Sequence, residues 1–155
     1  MKKTLLIAFL FAGLVPVLFA QTPKKNKESY RNYNNSFNSG AAIDFEKFFS
    51  KDFQWTSHPD RKGLQGLKEY HKEIFKSFPD LHLTIEQLVA EGDLVMARVQ
   101  ISGTHKGIYR EIPPTNKKVT LYQYTTNRFN AEGKIVESWV LNDSYSMLRQ
   151  LGAVK

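Results

Sequence analysis

The chain of 155 residues contains no cysteine. That excludes disulfides, thiolate nucleophiles, thiolate metal sites and a lipid-modified cysteine anchor, and leaves packing to hold the fold. Also missing are the G-x-S-x-G elbow, the P-loop, the G-x-G-x-x-G turn and the H-E-x-x-H helix, so hydrolase, nucleotide and zinc-protease chemistry lose their usual support. Long apolar runs are absent except at the start, where Leu5 to Val15 is followed by Pro16. Continued through Gly13 and Pro16 to Ala20 the stretch is still only about 15 residues, against the roughly 20 that a spanning helix needs. With Lys2 and Lys3 before it and Leu18-Phe19-Ala20 before Gln21, it reads as a secretory signal over residues 1–20. The expectation is an exported protein, periplasmic or secreted, with a bacterial-type signal and no membrane segment after cleavage.

Without residues 1–20 the 155-residue chain becomes 135 long, a common size for one domain with one core. Losing Lys2 and Lys3 lowers the formal charge from +7 to +5. Much of the remainder is Lys24, Lys25, Lys27 and Arg31, a basic head without the cationic stripes and interleaved aromatics of a nucleic-acid surface, so no nucleic-acid partner is expected. Residues 21–27 are polar and read as a flexible basic leader to a domain over 28–155.

Within that domain the hydrophobic period changes once. Tyr30, Tyr33 and Phe37 mark one helical face, stopped by Asn38-Ser39-Gly40, and Ile43, Phe45, Phe48 and Phe49 suggest a second short helix with Asp44 near its start. Phe53 to Thr56 reads as a short strand. A longer helix from Gly63 to Phe78 carries Leu67, Tyr70, Ile74 and Phe78 at helical spacing and ends at Pro79. From Leu81 onward the period is two: Leu81-Leu83-Ile85, Val95-Ala97-Val99-Ile101, Val119-Leu121 and Ile135-Glu137-Trp139-Leu141 alternate as half-buried strands do. Turns fall at Glu91-Gly92-Asp93 and Asn130 to Gly133, with a longer bend at Ile112 to Asn116. Helices followed by a four-strand meander indicate an α+β fold, its helices on one face of a curved antiparallel sheet.

Four histidines are the first candidates for chemistry. His71, beside Tyr70, reads as a surface residue; His82 points away from Leu81 and Leu83 into solvent; His105 sits at a strand end in a rim or turn role; His58, after the short strand, is the candidate for a cavity wall. On the last strand, alternation sets Glu137, Trp139, Leu141 and Asp143 on one face. In an apolar wall the Asp143 carboxyl would have a raised pKa and could act as acid or base; alternatively it caps the helix Ser144 to Leu151.

Phe78-Pro79-Asp80-Leu81-His82-Leu83-Thr84-Ile85, Glu91-Gly92-Asp93, Gly103-Thr104-His105-Lys106-Gly107, Ile112-Pro113-Pro114-Thr115, Gly133 to Trp139, Asp143 and Leu148-Arg149-Gln150-Leu151-Gly152 together resemble the SnoaL-like polyketide cyclase, or ester cyclase, family. The resemblance spans roughly residues 28–152. It implies the cone shared with nuclear transport factor 2, a curved sheet closed by helices over a deep pocket, commonly in a homodimer. It further implies Asp143 as general acid/base for a ring closure with no metal or cofactor, and Thr56 or His58 at the place where the family often has a histidine. Trp55, Trp139, Leu141, Tyr122 and Tyr124 are the expected pocket walls. The implied function is binding of a small apolar or ring-containing molecule, with cyclisation, isomerisation or hydrolysis through Asp143; the alternative is a non-catalytic ligand carrier or stress-related binding module on the same fold.

Overall fold

In the computed structural model, which describes residues 15–39 and 42–155, the elements run α1 (Val15–Asn38), α2 (Phe45–Phe48), β1 (Phe49–Trp55), α3 (Gly63–Ser77), β2 (His82–Glu91), β3 (Leu94–Thr104), β4 (Lys118–Phe129), β5 (Ile135–Asn142) and α4 (Ser144–Leu151). Most of the signal segment lies outside the described residues. The sheet order is β1-β5-β4-β3-β2. The last four strands form the expected antiparallel meander, while β1 joins its far edge parallel to β5, making the sheet mixed. α1, α2 and α3 lie over the inner face and α4 closes one end.

Local chemistry accounts for the boundaries. α3 stops where Pro79 follows Phe78. The β2–β3 hairpin turns at Gly92, whose φ of 55° suits glycine. α4 ends at Gly152 in a Schellman arrangement, with the amides of Gly152 and Ala153 donating to the carbonyls of Arg149 and Leu148.

The leader expected over residues 21–27 is instead part of α1. Asn26, one turn before Tyr30, is 1% exposed and prolongs the buried face of Tyr30, Tyr33 and Phe37. Its polar neighbours hide that continuation in the sequence.

The core has two parts. Between α1, α2 and the sheet, Phe37, Phe45, Phe48, Phe49, Phe53 and Phe129 pack against Val95, Val99 and Ile135. Beneath α4, Ile74, Phe78, Val119, Leu121, Met147 and Leu151 form the second. Two single-residue bulges shape the sheet between them. One falls between Ile85 and Gln87 on β2, after which Leu88 and Ala90 take up the inward positions. The other is on β5: Phe129 pairs with Ile135 while Arg128 pairs with Glu137, which leaves Val136 unmatched. A bulge reverses which alternate residues face inward, and this second reversal decides the site.

Candidate functional site

The inner face of the sheet and the helices above it enclose a cavity of about 110 Å³. Its helical wall is aromatic and aliphatic: Tyr30, Tyr33 and Phe37 from α1, Leu67, Tyr70, His71 and Ile74 from α3, and Phe78 just beyond. The sheet wall is mixed: a strip of amides and hydroxyls, with Gln123, Thr125 and Asn127 from β4 and Ser138 and Asn142 from β5, runs among apolar side chains such as Phe53, Trp55, Leu83, Ile101 and Leu121. These side chains partly satisfy one another, Asn127 Nδ2 donating to Thr125 Oγ1 at 3.0 Å and Gln123 Nε2 to Asn142 Oδ1 at 2.9 Å. Among the described residues no Asp, Glu, Lys or Arg lines this cavity.

His71 is the titratable centre of the helical wall. It is 7% exposed, and its Nε2 lies 3.1 Å from the Tyr33 hydroxyl. Phe37 and Phe45 meet its ring nearly edge to face, both with centroids at 4.9 Å. Burial lowers its pKa to about 4, so the imidazole is neutral near pH 7. Burial also raises the phenols of Tyr30 and Tyr33, and takes Tyr70 to about 12, so all three stay protonated donors. This wall offers hydrogen bonds without charge. Among the described residues no three His, Asp or Glu side chains converge as metal ligands.

The family model for SnoaL-like polyketide cyclases matches residues 27–151. The chain belongs to that family. Solved structures agree on the fold: AclR, a candidate hydroxylase of Streptomyces galilaeus, has a TM-score of 0.78 at 25% identity over 85% of this chain and 98% of its own. The SnoaL-like polyketide cyclase of Agrobacterium tumefaciens has 0.71 at 26% identity, over 82% of this chain and 98% of its own. IdmH, a candidate polyketide cyclase of Streptomyces antibioticus, has 0.70 at 26% identity over the same shares, 82% and 98%. No curated protein matches the chain significantly.

Within this SnoaL-like cone the expected site residues separate. Trp55 lines the cavity. Trp139, Leu141 and Tyr124 instead line an open groove on the opposite face of the sheet, with Tyr122 exposed beside them. The bulge at Val136 is the reason on β5: Ile135 is buried, but beyond the extra residue the inward positions pass to Ser138 and Val140. On β4, Tyr122 and Tyr124 alternate with the inward Leu121, Gln123 and Thr125.

Asp143 lies between two lining residues, Asn142 and Ser144, yet its own side chain is exposed and outside the lining. Its Oδ1 accepts from the Ser146 amide at 3.0 Å, the N-cap of α4. The placement in a poorly solvated wall is thus corrected in favour of the cap.

His58 stacks on the far side of Trp55 at 3.9 Å and abuts Tyr70 at 5.8 Å, outside the lining itself. Partial burial lowers its pKa. No hydrogen bond or ring contact among the described residues joins it to Asp143. Thr56 is exposed and donates to Glu137 Oε1 at 3.1 Å, away from the cavity. His82 is exposed as expected.

His71 is the opposite of the surface residue it was expected to be. The signal was present, since His71 stands four residues after Leu67 and three before Ile74 on the same helical face. His105 is fully buried, stacked on Phe78 at 5.1 Å with its Nδ1 3.1 Å from Thr115 Oγ1, and pins the β3–β4 loop.

Proposed function

We propose that this SnoaL-like protein is a binding module for a small, neutral, single-ring molecule, exported from the cytoplasm, with no acid/base step assigned to Asp143. The observation that carries the reading is a cavity with an aromatic helical wall, a strip of amides and hydroxyls in an otherwise apolar sheet wall, and no charged side chain in its lining among the described residues. A charged ligand would be stripped of water there with no counter-charge, a cost that shifts the preference to neutral molecules. Size sets the ring number. At about 110 Å³ the space compares with engineered cavities of roughly 150 Å³ that take up benzene, and a fused polycycle requires the walls to move apart.

The test is calorimetry with neutral single-ring compounds against the wild type and Val140→Trp, which fills the cavity from β5. Micromolar to millimolar binding that the variant abolishes, with its melting transition retained, supports the reading. Equal binding by both proteins refutes it.

Export rests on the signal-like start and on Pro23. In α1 as described, Pro23 lies in the helix interior, where it supplies no amide to the backbone ladder. Cleavage after Ala20 would leave Pro23 in the first turn, where proline is favoured because the amide it lacks would have no intrahelical acceptor. Intact mass of the protein recovered outside the cytoplasm should begin at Gln21; an uncut chain there argues against the signal.

A second copy of the chain is the proposed occupant of the outer sheet face. Val89, Met96, Tyr124 and Leu141 are exposed by 52–70% on one contiguous strip of β2 to β5, with Trp139 among them. Apolar surface of this extent is characteristic of an interface.

A further inference from the structure

We propose that Tyr33 and His71 form a subsite that reads a hydroxyl on the ligand, so that the molecule bound is a neutral phenol or ring alcohol rather than a hydrocarbon or a ketone. The inference rests on the binding role proposed above and starts from the two nitrogens of His71. Its Nδ1 is buried without a hydrogen-bond partner, whereas Nε2 faces the Tyr33 hydroxyl at 3.1 Å. A neutral imidazole carries one proton, and the surroundings decide where. Phe37 and Phe45 stand nearly edge to face against the imidazole, and an N–H at Nδ1 can be accepted weakly by an aromatic face where a lone pair cannot. The subsite accordingly takes the proton on Nδ1 and Nε2 as the acceptor.

That choice fixes the direction of the next bond. Tyr33 must donate its own hydrogen to Nε2, and its phenolic oxygen is left with acceptor capacity only. Tyr33 is half-buried, its ring packed by Phe48 and Phe49 at 5.7 and 5.0 Å, and it lines the cavity, so a ligand hydroxyl can reach its oxygen from there. A ligand that donates there completes a chain from its O–H through Tyr33 to His71, each bond polarising the next. A carbonyl oxygen at the same place meets another acceptor. Across the cavity, the amides and hydroxyls of Gln123, Asn127 and Ser138 take the remaining polarity of the ligand.

The experiment compares phenol with toluene, two molecules of nearly equal shape that differ in a hydroxyl and a methyl, by calorimetry on the wild type and Tyr33→Phe. The expected result is that the variant loses about tenfold in phenol affinity, the worth of one hydrogen bond, and keeps its toluene affinity within about twofold. An unchanged phenol-to-toluene ratio overturns the subsite while leaving the cavity reading in place; failure of both compounds to bind the wild type brings down the cavity reading itself. A second measurement needs no variant: nitrogen-15 spectra of the wild-type imidazoles should show His71 protonated on Nδ1 with Nε2 as acceptor, and a proton on Nε2 overturns the subsite.

Discussion

Acidification should destabilise this protein through the buried imidazole of His71. The ordinary imidazole value is 6.5, and burial lowers it to about 4 in the fold. Between these values the unfolded chain binds a proton that the folded chain refuses, so stability rises with pH across the window. The contribution is complete above 6.5 and is lost as the pH falls toward 4. The linkage relation gives roughly 2 kcal/mol less stability at pH 5 than at pH 8, rising to about 3 kcal/mol once the folded histidine also titrates. His58 and His105 are lowered as well and add in the same direction. The Asp80 carboxyl is held low by hydrogen bonds from Thr104 and titrates below the window. The assay is therefore a difference: urea unfolding at pH 8 and pH 5 for the wild type and for His71→Gln, which keeps a partner for Tyr33. The wild type should lose about 2 kcal/mol more than the variant over that interval. Equal losses in the two proteins would refute the argument, because they would show His71 to be solvated or charged in the fold.

Three further outcomes follow from the same geometry. Asp143→Ala should cost about 1 kcal/mol in urea unfolding and Asp143→Asn much less, because asparagine also caps; equal losses would mean that the carboxylate has a role beyond the cap. Gly107→Ala should cost about 1–3 kcal/mol, since a Cβ would stand 2.2 Å from the Lys76 carbonyl oxygen in a loop pinned by the amides of Lys106 and Gly107 on Ser77. A wild-type melting temperature in that variant would show the loop free to move. Leu141→Glu, at a side chain 70% exposed, should convert a sedimenting dimer to monomer without altering ligand affinity; an unchanged sedimentation coefficient for a dimeric wild type would place the interface elsewhere.

The limits of the sequence reading can be traced to particular residues. The element order was legible because period and punctuation act locally: Pro79 ends α3, Gly152 ends α4, and the alternation from Leu81 onward marks the meander. The α+β class followed from that order. Trp55, expected as a wall, lines the cavity. The last strand was legible as a strand but its facing was not, because a β-bulge is a relation between two strands. Nothing in Ile135 to Leu141 states that Val136 would lack a partner on β4, yet that one residue turned Trp139 and Leu141 outward and Ser138 and Val140 inward.

Asp143 shows the same division. The sequence offered both a cap and a catalytic wall, and the exposed geometry of its carboxylate selected the cap. The burial of His71 is written in its place between Leu67 and Ile74 on one helical face, but the edge-on rings of Phe37 and Phe45 that enclose it come from α1 and α2, many residues away. The sequence by itself therefore determined the order of the elements and the family, which rest on local period and punctuation and on motifs read in line. The tertiary structure decided which face of the sheet is the inside, and with it the polarity, charge and size of the cavity, because these depend on register and on side chains that meet only after folding.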